Sequence, residues 1–502
     1  MVKVHTTSAV EADETTNWKN VRAISAFTFV DSLQFSFYMW SIWPYLQSID
    51  NTISATILGL IIASSGVGEA LAAPIFGYWC NRINRILPPV YASIAVSFVG
   101  NLVYFFLEIF GDRCIPYAMV VSRFLSGVGS GNRGCFRALV AANSRGKDRA
   151  KALASSGGAA LVGLTIGPAV QVAFNWIGPV GADLGFVRLS QYTVPALLAM
   201  VINVVTAIYA RVALDDSLDA DLVKEHTPTT LKEEDEIEIR DIEDLAPPPV
   251  VLRMDVLAVV ICMATRSIRM LVTANIESIG APYTEIMFNY THEEALAMNS
   301  YAQTANGVVT IVTFVIYAFT DYTKWVSERA NCVGALIGLF IFYVFSMPWP
   351  FMPGTVDCTN FVGNGTKGWE WCENLTYVNE IAYYITYVVL YGVSLSVLNN
   401  SLQALYSRVL GSGPQGTMQG VNQTVGSLAR IFGPIIMSST FTMAGPQATW
   451  GTIIALLGLT LLVWIVARRR LVPLESRGKE EQPKFIFNHM LAWISRKSDD
   501  SK

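Results

Sequence analysis

Charge is scarce in this chain of 502 residues: 15% of them are charged, against 52% that are hydrophobic. A soluble domain of that composition would have too few polar side chains to cover its surface. Histidine is scarcer still, and His5, His226, His292 and His489 all fall outside the apolar stretches and share no site. Cys80, Cys135, Cys262 and Cys332 lie in or near apolar segments without metal-ligand spacing and read as packing, so neither a metal nor a cofactor is expected. No Gly-Lys-Ser/Thr motif is present to cradle a nucleotide phosphate, which removes ATP as an energy source and leaves enzymatic readings little support. The first apolar stretch follows a polar run with no small-residue cleavage site, so no removable signal peptide is expected.

What is present is length in the apolar runs. Twelve stretches, near 22–46, 55–78, 88–110, 116–142, 151–176, 190–211, 254–280, 295–319, 329–347, 379–405, 417–440 and 449–468, could each cross a bilayer. A hydrocarbon core about 30 Å thick needs roughly 20 apolar residues per helical crossing, with the backbone satisfied inside the helix. The predicted fold is therefore an all-α membrane protein of twelve transmembrane helices. Its expected parts are a tail (1–21), a first six-helix bundle (22–211), an acidic linker (212–253), a second six-helix bundle (254–468) and a second tail (469–502). The linker runs through Lys232–Glu236 to Pro247–Pro249 and is too polar to fold alone. In the second tail Phe487, Met490, Leu491 and Ile494 share a helical face flanked by Lys484, Arg496 and Lys497, the pattern of an amphipathic helix lying on a membrane or against the bundle.

Charge outside these stretches sets the orientation. With both ends in the cytosol, Arg82, Arg85, Arg145, Lys147, Arg149, Lys151, Arg211, Arg253, Lys324, Arg329, Arg408 and Arg468–Arg470 are cytosolic, whereas the other face keeps Arg113, Arg188 and Lys367. That other face carries sequons at Asn289, Asn364 and Asn374, and a pair of cysteines, Cys358 and Cys372, expected to form a disulfide in an oxidising compartment.

The two halves echo each other. Gly157, Gly158, Gly163 and the step Gly167–Pro168 in the fifth stretch match Gly420, Gly426 and the step Gly433–Pro434 in the eleventh. Glycines allow close helix approach, and the Gly-Pro steps are expected to let these helices bend. Matching interrupted helices point to a transporter built from repeats, with its site between them. The run from Gly77 to Arg85 (GYWCNRINR) resembles the loop motif of the major facilitator superfamily, with Asn81 where an aspartate is usual. The run from Arg123 to Gly131 (RFLSGVGSG) resembles that superfamily's fourth-helix motif. Ser41–Gln47 with Ile49–Asp50, Ala73–Gly77, Pro414–Gly416, Gly420, Gly426–Ser427 and Ala429–Pro434 are similar to the lysosomal ceroid-lipofuscinosis neuronal protein 7 family, also called major facilitator domain-containing protein 8. The likeness runs from about Trp18 to Arg470. It implies the facilitator fold, transport activity and an endolysosomal membrane, with anion (chloride) conduction as a leading idea. The cytosolic tails carry no convincing sorting signal, which leaves the plasma membrane open.

Ionisable residues within a membrane mark a pathway or lock helices together. Helical spacing puts Arg123, Ser126, Ser130, Arg133 and Arg137 on one face of the fourth helix, and Arg266, Arg269, Thr273 and Glu277 on one face of the seventh. Asp31, Gln34, Tyr38 and Ser41 do the same on the first, and Gln419, Gln423 and Arg430 on the eleventh, while Asn399 adds a polar group to the tenth. Six arginines (123, 133, 137, 266, 269, 430) face three acids (Asp31, Glu69, Glu277), so the pathway is expected to be net positive and to favour a small anion, chloride or organic. The three acids are candidates for proton coupling. Gly77, Arg82 and Arg85 are expected to take part in gating. A chloride channel on the same fold, and a scaffold or receptor that transports nothing, stay open as alternatives. No nucleic-acid partner is expected.

Overall fold

Proline and side-chain caps decide where many of the helices begin. Pro88, Pro116 and Pro195 sit in the first turns of α3 (Leu87–Phe105), α4 (Ile115–Ser130) and α7 (Val194–Ala213), where the missing N–H costs nothing. The later helices start instead on caps that satisfy free backbone N–H groups. Asp255 accepts from the amides of Leu257 and Ala258 to open α8 (Val256–Phe288). Thr291 and Glu294 form a capping box at the start of α9 (His292–Phe319), and Ser327 caps α10 (Glu328–Ser346). The computed structural model describes residues 16–39, 55–111, 114–144, 148–178, 181–183, 188–214, 255–320, 326–356, 370–372, 375–411 and 415–472, with Ile42, Tyr45 and Leu46.

The remaining helices are α1 (Trp18–Met39), α2 (Ala55–Ile83), α5 (Arg133–Ala142), α6 (Arg149–Val172), α11 (Glu380–Thr386), α12 (Gly392–Leu410) and α13 (Gly416–Val466). Two crossings are composite: α4 and α5 meet at Gly131–Asn132, and α11 joins α12 through a π-turn at Tyr387–Tyr391. The long α13 supplies two arms that meet at Gly445, where φ is 78°. Counted this way, the described residues hold one helical crossing for each of the twelve apolar stretches. A small addition to the all-helical expectation is a two-residue antiparallel pairing, Ala182–Asp183 with Arg188–Leu189.

Seven of the described helices are long and apolar enough to cross a membrane, and between 33% and 44% of each such apolar window is buried. The rest of those windows faces outward, through side chains such as Leu71, Ile75, Ile208, Phe345 and Ile381, which suits lipid and not water. The crossings that miss this mark are the first, fourth, fifth and eighth. They carry polar residues such as Asp31, Arg133 and Asn306 toward the middle of the bundle.

Packing falls into an N-terminal and a C-terminal set of helices. In the C-terminal set Tyr283 stacks on Trp450 with ring centroids 4.2 Å apart, and both donate to Ser346. The two sets meet along α2 with α13 and along α6 with α9. Contact at the first seam needs glycine: a Cβ on Gly77 would lie 2.3 Å from the Gly416 carbonyl oxygen, and one on Gly420 would lie 2.4 Å from that of Ala73.

The expected bends at Gly167–Pro168 and Gly433–Pro434 do not break their helices. The backbone of α6 is helical through Val172, and the non-helical residue within α13 is Gly445. Gly167 and Gly433 serve close approach instead, their hydrogens facing Ser36 and Ala274. At Gly445 a Cβ would meet the Trp371 indole at 2.6 Å, and Trp371 also donates to the Thr442 carbonyl. Replacing Gly445 by alanine should therefore cost about 1–3 kcal/mol, since its backbone region is close to glycine-only. A thermal midpoint equal to that of the parent protein would contradict this.

Candidate functional site

The polar faces of α1, α2, α5, α8 and α13 converge at mid-depth. Arg133, at the first turn of α5, donates from Nε to Asp31 Oδ2 of α1 at 2.5 Å and from Nη1 to Glu69 Oε1 of α2 at 3.3 Å. The Glu69 side chain is 5% exposed, so its charge depends on these partners. Gln423 of α13 donates from Nε2 to the same Glu69 oxygen at 2.6 Å, and its Oε1 accepts from Arg266 Nη2 of α8 at 2.7 Å. Glu69 and Gln423 thus tie the N-terminal and C-terminal helices together. The amide of Gln423 is oriented by its neighbours, because the opposite flip would set its NH2 against a guanidinium.

Arg266 lies flat against α13, where a Cβ on Gly426 would come within 2.6 Å of its Nε. A cavity of ≈ 10 Å³ beside it is lined by Asn399, Gln403 and Asn422, among others. On the N-terminal side a larger cavity of ≈ 40 Å³ is lined by Asp31, Gln34, Asn203 and Arg133, with Gln34 donating to Asn203 at 3.0 Å.

Four further guanidiniums lie beyond ion-pair distance of any carboxylate among the described residues. Arg137, Arg266, Arg269 and Arg430 lie within electrostatic reach of one another, and none of them forms an ion pair among the described residues. Nη1 of Arg137 and Nε of Arg266 are buried without a hydrogen-bond partner. Glu277 and Arg430 are exposed, yet they reach each other's charge, and Arg430 reaches Glu69 as well.

Arg123 stands apart from this cluster. It is buried against α3, its guanidinium 5.0 Å from the centre of the Tyr104 ring, and the break at Gly131–Asn132 separates its helix from Arg133. The expected single stripe from Arg123 to Arg137 is thus two sites: the aromatic ring of Tyr104 holds the first arginine, while Asp31 and Glu69 hold the next.

Asn81 closes one end of the bundle. Its Oδ1 accepts from the Gly416 amide at 2.9 Å and its Nδ2 donates to Thr417 at 3.0 Å, while Thr424 donates to the Ala70 carbonyl at 2.7 Å. At the same end, a Cβ on Gly157 of α6 would sit 2.9 Å from the Phe314 ring of α9. Arg82 and Arg85 are exposed there, and Arg82 reaches Tyr78 at 3.3 Å. The contacts of Asn81, Thr417 and Thr424 were not legible in sequence, since each depends on a register between distant helices. Tyr387 and Tyr391, close enough to Glu277 to feel its charge, repeat Tyr383 at four-residue intervals, a pattern that reads equally well as core.

Other expected positions are placed in part. Asn289 is exposed at the C-terminal end of α8, and Cys372 is disulfide-bonded. Cys358, Asn364 and Asn374, the linker beyond Leu214, and the amphipathic stretch after residue 472 lie outside the described residues, as do the side chains of Tyr38 and Pro168.

Residues 25–434 match the Major Facilitator Superfamily. The chain is 29% identical over 487 residues to Major facilitator superfamily domain-containing protein 8 of Xenopus laevis, covering 92% of this chain and 93% of that protein. Among solved structures, the human organic anion transporter MFSD10 (TETRAN) aligns with a TM-score of 0.60 at 17% identity, over 89% of this chain and 99% of that one. A bacterial homologue of the iron transporter ferroportin, in its outward-facing state with soaked iron, gives 0.61 at 10% identity, over 89% and 98%. Likeness at such low identity concerns the fold alone. The sequence match carries the assignment and the helical bundle agrees with it: this chain is a multi-pass membrane transporter belonging to the major facilitator superfamily.

Proposed function

We propose that the protein moves a small anionic solute by alternating access across an endolysosomal membrane, with both termini in the cytosol. The observation that carries the reading is the set of four guanidiniums that form no ion pair among the described residues, Arg137 from the N-terminal helices and Arg266, Arg269 and Arg430 from the C-terminal ones. Burying unpaired cations is costly, and a locking role would have brought carboxylates to them. An anion bound between the two sets of helices would supply the missing charge and reward their approach.

The six-helix units 22–211 and 254–468 are the bodies that rock, and Asn81 with Gly416 and Thr417 closes the cytosolic end. Protons would act at Glu69 and Asp31: protonating Glu69 weakens its hold on Arg133 and on Gln423 of the other unit, and so loosens the seam. The endolysosomal location rests on the resemblance of motifs such as Ser41–Gln47, Ala73–Gly77 and Ala429–Pro434 to the lysosomal facilitator family.

Anion flux into liposomes tests the reading. Arg266→Gln and Arg269→Gln should each lower flux about tenfold or more, the loss of one charge-assisted contact in a low-dielectric site, while the protein still reaches its membrane. Parental flux in both variants would sink the anion pathway.

A further inference from the structure

We infer that the cargo is a small organic dianion, a molecule with two oxyanion groups, rather than a halide or a monocarboxylate. This rests on the anion-pathway reading above and specifies the charge of what that pathway carries.

The argument is charge balance at one site. Arg123 belongs elsewhere, against Tyr104. The converging set then holds five guanidiniums (Arg133, Arg137, Arg266, Arg269, Arg430) and three carboxylates (Asp31, Glu69, Glu277). Two positive charges are left over. In a cavity walled by apolar helices an uncompensated cation is expensive, so the bound state is best neutralised by a ligand of charge minus two. A halide would leave one cation unanswered at every cycle.

Geometry agrees with the count. Arg266 and Arg269 stand one helical turn apart on α8, and Gln423, which holds Arg266, precedes Arg430 by two turns on α13. The guanidinium anchor points are therefore spread over about 10 Å of depth, at 1.5 Å per helical residue. One spherical ion cannot touch both ends of that ladder. Two oxyanions on a short carbon or sugar frame can, and a planar guanidinium grips carboxylate or phosphate oxygens in pairs. One end of the ladder is closed by Glu69, Gln423 and Asn81, and Arg430 and Glu277 at the other end are exposed.

Matched ligands of different charge test this in the purified, full-length protein. The thermal midpoint would be followed against succinate and butyrate, methyl phosphate and dimethyl phosphate, and chloride, at pH 7.5 and constant ionic strength. At that pH a phosphate monoester is close to fully dianionic. Succinate should half-saturate at a concentration about tenfold or more below that of butyrate, the size of one added charge-assisted contact. Preference for methyl phosphate alone overturns the inference, since that ester carries both charges on one oxyanion group, whereas preference for succinate supports it. Arg269→Gln and Arg430→Gln should each remove most of that preference, and Arg430→Lys should keep it in part. If the parent protein binds each monoanion as tightly as its dianion, or prefers chloride to both dianions, the inference falls while the anion pathway stands. If no anion shifts the midpoint and none is carried in the liposome assay, both fall.

Discussion

Replacing Arg133 by leucine is expected to be the most destabilising single change in the membrane interior. Its guanidinium bridges Asp31 and Glu69, and removing it leaves two carboxylates near one another beside a small cavity, with the Gln423 amide still donating to Glu69. Breaking a buried ion pair by removing one partner costs about 3–5 kcal/mol, because the other charge is left uncompensated. The expected readout is a thermal midpoint lower by on the order of 10 °C in detergent. Two further variants separate this cause from lost packing. Arg133→Lys keeps the charge but not the fork that reaches both acids, so it should fall between the two. Adding Asp31→Asn to Arg133→Leu removes one of these two charges and should recover part of the loss. If the double variant is no more stable than the single one, the electrostatic account of this site is wrong.

How much of this site the sequence revealed depended on the range of the interaction. The crossings were legible because length and hydropathy are local properties, and the caps at Asp255, Thr291 and Ser327 are written beside the helices they start. The face Arg266–Arg269–Thr273–Glu277 was legible because α8 runs unbroken from Val256 to Phe288 and the 3.6-residue period holds throughout. The stripe on the fourth crossing was not, because a turn at Gly131–Asn132 interrupts the helix and because Tyr104, a tertiary neighbour, packs on Arg123. The first helix starts a turn before its apolar pattern suggests, at Trp18 against an expected 22, and Ile42, Tyr45 and Leu46 within the expected stretch are helical as well. Gln423 was recognisable as polar and inward, but its position between Glu69 and Arg266 needs the register of three helices. Asn81 shows the same limit: in sequence it is a departure from the aspartate of the loop motif, and only the register of α2 against α13 reveals that its amide accepts from the Gly416 N–H and donates to Thr417 across the seam.

That seam also decides between a carrier and a channel. Gly420→Val is expected to abolish net transport while leaving the fold intact. The added side chain has no room, since its Cβ would sit 2.4 Å from the Ala73 carbonyl oxygen and 2.9 Å from the Pro74 Cα, and Gly134 of α5 packs on the same spot. Backbone cannot yield as a flexible side chain can, so α2 and α13 must part at the end that Asn81 closes. Gly77→Val should do the same from the other side, where Gly416 and Thr417 are the neighbours. Parting should free Asn81 from Gly416, so a cysteine placed at Asn81, in a background with Cys80 replaced by serine, should react faster with a water-soluble thiol reagent. A carrier that cannot close this end cannot alternate, and its flux should fall to background. A channel would conduct as much or more with the constriction opened. Loss of flux with faster labelling at Asn81 therefore supports alternating access, increased current with the same labelling overturns it in favour of a channel, and unchanged labelling with unchanged flux would show that the glycine seam is not the closing contact.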